Sequence, residues 1–241
     1  MRRSSERSGS DSRRRRYKTS VEFRPLSQRA TGAIIALVAV AVLDVVAVWA
    51  DWARYDLLGR IVNGGSYTLA EATTSDNRQS AIALLQILAL IFGAFFFIRW
   101  FLQAYRNVDA LGGTRDFTEK WAGWAWFVPI LSLWRPKQIA NEIWRASDPD
   151  RPDQAPSKST PLWGVLALWW ACWIVSNFIS QIGARMAFHN DTADGLRHST
   201  AAYLIGDAID IAAAVLAIVV ILRITARQEE RAAKRALSVA A

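Results

Sequence analysis

Four long apolar runs carry most of the hydrophobic residues of this chain, and polar residues gather between and outside them. The runs are Thr31 to Ala50, Gln79 to Tyr105, Pro161 to Met186 and Ala201 to Leu222. A soluble α/β chain would interleave apolar and charged positions at helix or strand period, and these runs do not. At 1.5 Å per residue, each can cross about 30 Å of hydrocarbon as a helix. The pattern predicts an all-α integral membrane protein with a four-transmembrane-helix bundle over residues 30–225. A polar, disordered basic tail is expected over 1–29, and a charged helical tail over 226–241. A cleavable signal peptide competes for the first run. That run is about 20 residues against the usual 7–15, and Val48-Trp49-Ala50 fits a cleavage site poorly, so a span is expected.

Basic residues then orient the spans. Lys and Arg number ten in residues 1–29, two in 51–77, eight in 106–160, one in 187–200 and five in 223–241. Positive flanks stay inside, so the alternation predicts both ends in the cytoplasm of a bacterial cell membrane. The net charge of +8 therefore reads as topology rather than as a nucleic-acid face, because the basic residues lie in tails and one loop beside apolar runs. Beyond the bilayer itself, the partners expected are anionic lipids at the Arg13–Arg16 tail, and a membrane-protein partner or a second copy. Each tail charge is worth about 1 kcal/mol near an anionic surface. Cys172 is the single cysteine, which excludes an intrachain disulfide and a Cys-based metal site.

The stretch between the second and third runs differs from an ordinary loop. Gly112-Gly113 should stop the preceding helix, and Asp116 with Glu119 forms a candidate capping box. From Trp121 to Trp134 there is no charge, yet a helix of that length covers only about 21 Å. Pro129 also disfavours helix at Val128. The expectation for 121–147 is a cytoplasmic re-entrant or interfacial segment, kinked at Pro129, then a short amphipathic helix opened by Pro136. Ile139, Ala140, Ile143 and Trp144 share its apolar face, and Glu142 is expected to point elsewhere. That helix either lies on the inner leaflet or packs on the bundle.

These residues also resemble a known family. Asn107, Ala110-Leu111-Gly112, Trp121, Trp124, Trp126-Phe127-Val128-Pro129, Leu133-Trp134-Arg135-Pro136 and Ile143-Trp144-Arg145 resemble the domain-of-unknown-function 4328 family over roughly residues 80–225. The resemblance implies a multi-pass bacterial membrane protein, mostly actinobacterial. It makes Trp121, Trp124, Phe127, Pro129, Trp134, Pro136 and Trp144 family-motif positions and implies no activity.

Candidate chemistry is sparse. Asp44, Gln86, Asn177, Gln181, Asp207 and Asp210 lie at one depth, about 8–14 Å below the outer surface. Charge in lipid is costly, so such a layer is either a hydrogen-bonded clasp between helices or a proton or cation site. His189 and His198 match no metal-ligand spacing, and no catalytic constellation, cofactor loop or metal motif is evident. The expectation is a non-enzymatic interaction or envelope-associated scaffold without cofactor or metal. The alternative is a small proton- or cation-coupled transporter module using the intramembrane acids.

Overall fold

The computed structural model describes residues 22–151 and 164–240. The Arg13–Arg16 tail and the first residues of the third apolar run lie outside them. Every regular element among the described residues is helical. Four helices are long and apolar enough to cross a membrane: α1 (Ser27–Val62), α2 (Leu69–Ala110), α5 (Val165–His189) and α6 (Ala193–Ala240). Between α2 and α5 lie α3 (Glu119–Trp124), a 3-10 turn (Leu131–Leu133) and α4 (Arg135–Ala146).

The helices outrun the apolar runs. Those of 36, 42 and 48 residues extend to about 54, 63 and 72 Å, well past a bilayer's hydrocarbon. The loop expected over 51–78 shrinks to 63–68, and that over 187–200 to 190–192. Ion pairs link the polar extensions of α1 and α2: Arg54 with Asp76 at 2.6 Å and Arg60 with Glu71 at 3.4 Å. Both α1 and α2 end at a Gly-Gly pair. Gly64 and Gly112 take φ of 74°, and the following N–H groups of Gly65 and Gly113 donate back to Arg60 O and Val108 O. That geometry closes the last turn and requires a left-handed residue. Thr68 and Glu71 form a capping box at the start of α2. No such box forms at Asp116. The cap of α3 is the extended Thr118, while the Asp116 N–H donates to Glu142 Oε2 at 3.2 Å.

In space the long helices run α2, α1, α6, α5, each packed on the next. Small residues permit this close approach: Ala33, Ala36, Ala47 and Ala50 on α1, Ala213, Ala214 and Ala217 on α6. The outward faces are apolar, with Ile35, Val42, Leu90, Ile91, Phe95 and Phe178 exposed. Such a surface belongs in lipid, so the chain is a multi-pass membrane protein.

α2 and α5, at the two ends of this row, are bridged at one end by the 119–134 segment. Trp126 inserts there. Its ring centroid lies 5.3 Å from Phe97, 5.5 Å from Phe101, 6.5 Å from Trp169, 6.0 Å from Trp170 and 5.8 Å from Trp173. After it the backbone leaves the helix through Pro129, and Ile130 adopts a φ of 68°. Pro136 occupies the first turn of α4, as its missing N–H favours.

α4 packs on the protein. Ile139, Ala140, Ile143 and Ala146 are buried against α2, α5 and α6, so its apolar face is not offered to the inner leaflet. Glu142 departs from the expected outward orientation: it is buried on the same side and accepts hydrogen bonds from Tyr105 and the Asp116 N–H.

Candidate functional site

Two polar constructions lie inside this helical row. The first is the acid layer between α1, α2, α5 and α6. Gln86 donates to Asp44 Oδ1 at 3.0 Å, and Asp207 lies near both. Ser176 donates to Asp210 Oδ1 at 3.0 Å. Asp44 is 3% exposed, and its Oδ2 is buried without a partner. Of the six residues expected in one layer, Asp44, Gln86, Asp207 and Asp210 come together.

Asn177 and Gln181 do not join them. Both are exposed, and Asn177 donates to its own helix at Trp173 O, 2.6 Å away. Ser176, Ser180 and Gly183 make the inward face of α5 instead; the backbone of Gly206 lies so close to Ser180 that a Cβ there would come within 2.7 Å of its Oγ. Small residues at that spacing are the sequence signal that marks the packed face.

Asp51 was expected in a loop, yet it joins the layer. α1 continues helical through it, it is 5% exposed, and Gln79 donates to it at 2.5 Å. Asp207 is close enough to Asp51 for the two carboxyl groups to bear on each other. Arg54 is the base that bears on Asp51, and it is itself paired with Asp76. Four carboxyl groups thus share a short column with two amides and one hydroxyl.

The second construction joins the ends of the described chain. Asn107, fully buried, grips the backbone of Arg24 from both sides: its Nδ2 donates to Arg24 O at 2.8 Å and its Oδ1 accepts from Arg24 N–H at 3.2 Å. Its amide also meets Gln228 at 3.0 Å and Gln103 at 3.0 Å. Gln228 donates to Ala104 O at 3.0 Å, and buried Arg231 donates to Leu111 O at 2.9 Å and to Asp148 O. The N-terminal stretch, the end of α2, α4 and the last turns of α6 are therefore fastened at one end of the molecule. Burial pushes the Glu142 carboxyl above its usual range there, opposed by its hydrogen bonds from Tyr105 and Asp116.

The family-motif positions surround this end. Trp121 and Phe117 lie beneath the Arg135 guanidinium, and Trp144 beneath that of Arg227. Trp124, Phe127, Ile130 and Trp134 are exposed, while Pro136 is buried. A family model described as a domain of unknown function (DUF4328) matches residues 63–226. The chain belongs to this family. None of the curated proteins and none of the solved structures matches it. The DUF4328 match takes in α2, the Trp126 segment, α4, α5 and most of α6; at the fastened end it includes Gln103 and Asn107 but not Arg24, Gln228 or Arg231. Asp44 and Asp51, on α1, lie outside it.

Among the described residues, no group of His, Cys, Asp and Glu is arranged to hold a metal ion. His189 and His198 lie in separate helices and face carbonyls one turn back, Arg185 O and Asp194 O.

Proposed function

We propose that this protein is a non-enzymatic scaffold of the bacterial plasma membrane, with four spans and both termini in the cytoplasm. The 121–134 segment dips into the inner leaflet and returns. The observation that carries this reading is the fastened end. Asn107, Gln228 and Arg231 tie Arg24 and the last turns of α6 to α2 and to Asp148 after α4, and above them Trp124, Phe127, Ile130 and Trp134 project outward. A rigid base under an exposed aromatic tip suits a docking platform better than a gate.

Crosslinking in native membranes tests the scaffold. One partner should be captured reproducibly, and Trp124→Ala with Phe127→Ala should abolish its capture while leaving the protein folded. Capture unaltered by that pair, or no partner at all, rejects the platform. Single cysteines test the topology in a Cys172→Ser background. Positions 120 and 138, both exposed, should react with an impermeant thiol reagent from the cytoplasmic side, and position 130 from neither. Labelling of 120 and 138 from opposite faces would mean a fifth span.

A second reading rests on the acid layer. Asp44, Asp51, Asp207 and Asp210 together exceed what a clasp between helices needs, and they favour a proton-coupled module. Purified protein in vesicles should then pass protons, and Asp44→Asn should stop the flux without unfolding the chain.

A further inference from the structure

A cavity of about 400 Å³ opens at the end of the molecule where the α1–α2 turn meets the start of α6. Trp52, Tyr55, Gly59, Arg60, Asn63 and Arg197 line it. Arg197 is held there unusually tightly for a surface arginine. One face of its guanidinium covers the Tyr55 ring, 4.4 Å from the centroid. The group also lies against Gly59, where a Cβ would come within 3.3 Å of Cζ, Nε and Nη2. Gly59 is thus a slot for a flat cation. The Arg197 Nε is buried with no hydrogen-bond partner, and no carboxylate among the described residues pairs with this arginine. The other arginines of the α1 extension are compensated: Arg54 by Asp76, and Arg60 by Asp56 and Glu71.

An oriented, uncompensated guanidinium over a cavity is the arrangement that recognises an oxyanion, because its planar fork matches phosphate geometry. Arg60 and the Asn63 amide add donors on the rim, and Asp56 on the same rim is engaged by Arg60. The level of the cavity is set by Trp49 and Trp52, 62% and 66% exposed, which suit the membrane–water boundary. We propose that this cavity binds the phosphate of an anionic phospholipid headgroup, with Arg197 as its principal ligand and Trp52 against the glycerol region. The same chemistry would accept a free phosphate. The proposal rests on the membrane reading and is independent of the scaffold.

Full-length protein in detergent, stripped of lipid, is offered phosphatidylglycerol or phosphatidylcholine, and bound lipid is counted by native mass spectrometry. Wild type should retain one phosphatidylglycerol in preference to phosphatidylcholine. Arg197→Gln should weaken retention about tenfold, the scale of one charge-assisted hydrogen bond. Gly59→Ala, which keeps the charge but fills the slot, should weaken it as well. A diazirine-bearing phosphatidylglycerol should crosslink to wild type within residues 52–63 and at 193–200, which decides the matter if either variant fails to fold. Displacement of that lipid by millimolar inorganic phosphate would support the site and assign it to a soluble anion. Retention equal in wild type and both variants, or crosslinks confined to other segments, overturns the proposal. Failure of the chain to partition with membranes would sink the membrane reading itself.

Discussion

Asn107→Ala should be among the most damaging single changes in this protein, because that side chain serves four partners at once. It accepts from Arg24 N–H and Gln103, and it donates to Arg24 O and Gln228, at 2.8 to 3.2 Å. Gln103 and Gln228 are 2% and 0% exposed, so water cannot replace the lost contacts without opening the core. A buried polar group left without a partner costs about 1–3 kcal/mol, and two are orphaned here, giving about 2–6 kcal/mol. The Arg24 backbone is half-exposed and recovers hydrogen bonds from solvent, which adds little. Its release should be visible separately. Limited chymotrypsin digestion in mild detergent should cut after Phe23 faster in Asn107→Ala than in wild type, alongside a lower thermal midpoint. Gln228→Ala should be strongly non-additive with it, since the two share one hydrogen bond. An unmoved midpoint together with unchanged cleavage at Phe23 would refute the fastening, and additive effects would show that the amides act separately.

Trp126→Ala removes a ring that touches five others and should cost about 3–5 kcal/mol in detergent unfolding, the range for large aromatic truncations; a loss under 1 kcal/mol would mean that α2 and α5 hold together without it. Asp44→Ala should lower stability in detergent by leaving the Gln86 amide short of an acceptor, and if the layer is a clasp it should leave vesicle proton flux unaltered. Glu142 is held above its ordinary 4.5 by burial, so the folded chain binds more protons than the unfolded chain just above that pH. Its stabilising effect is complete below that pH and declines as pH rises through the raised folded value. Glu142→Gln should therefore flatten this part of the stability profile, and an identical slope in both proteins would contradict the assignment.

Much of this architecture is legible in the residues. Hydropathy gives the four spans, Pro136 opens α4, and Gly112 ends α2, each for a local reason. Thr68-Leu69-Ala70-Glu71 is likewise a readable capping box, and it places the start of α2 ten residues before the apolar run. Depth along a span was legible too, which is why Asp44, Gln86, Asp207 and Asp210 meet. Which way a side chain faces was not, because depth says nothing about rotation. On α5, apolar character is nearly uniform around the helix, so Asn177 looks as suitable as Ser176; only the small residues Ser176, Ser180 and Gly183 mark the packed face. Glu142 and Asp51 were misplaced for a related reason. Each is buried by partners distant in sequence, Tyr105 and the 116–117 turn for one, Gln79 and Asp207 for the other.

The two constructions divide differently between family and chain, and this bears on where activity should be sought. Trp126, Glu142 and their partners lie within the matched residues 63–226, Asn107 reaches Arg24 and Gln228 outside them, and all of them serve to hold segments together. Their removal should destabilise the protein whatever it does, so mutating them reports on folding. The acid column is different: half of its carboxyl groups, Asp44 and Asp51, come from α1, outside the match. A domain of α2 to α6 alone would keep Asp207 and Asp210 but lose Asp44, which Gln86 holds, and Asp51, which Gln79 holds. α1 therefore completes the column rather than merely adding a span. Substitutions confined to Asp44 and Asp51 are the cleanest way to separate a property of this chain from the stability of the fold. If Asp44→Asn and Asp51→Asn leave the fold intact but change proton flux, the column is functional. If they change midpoint and nothing else, it is a clasp that α1 closes.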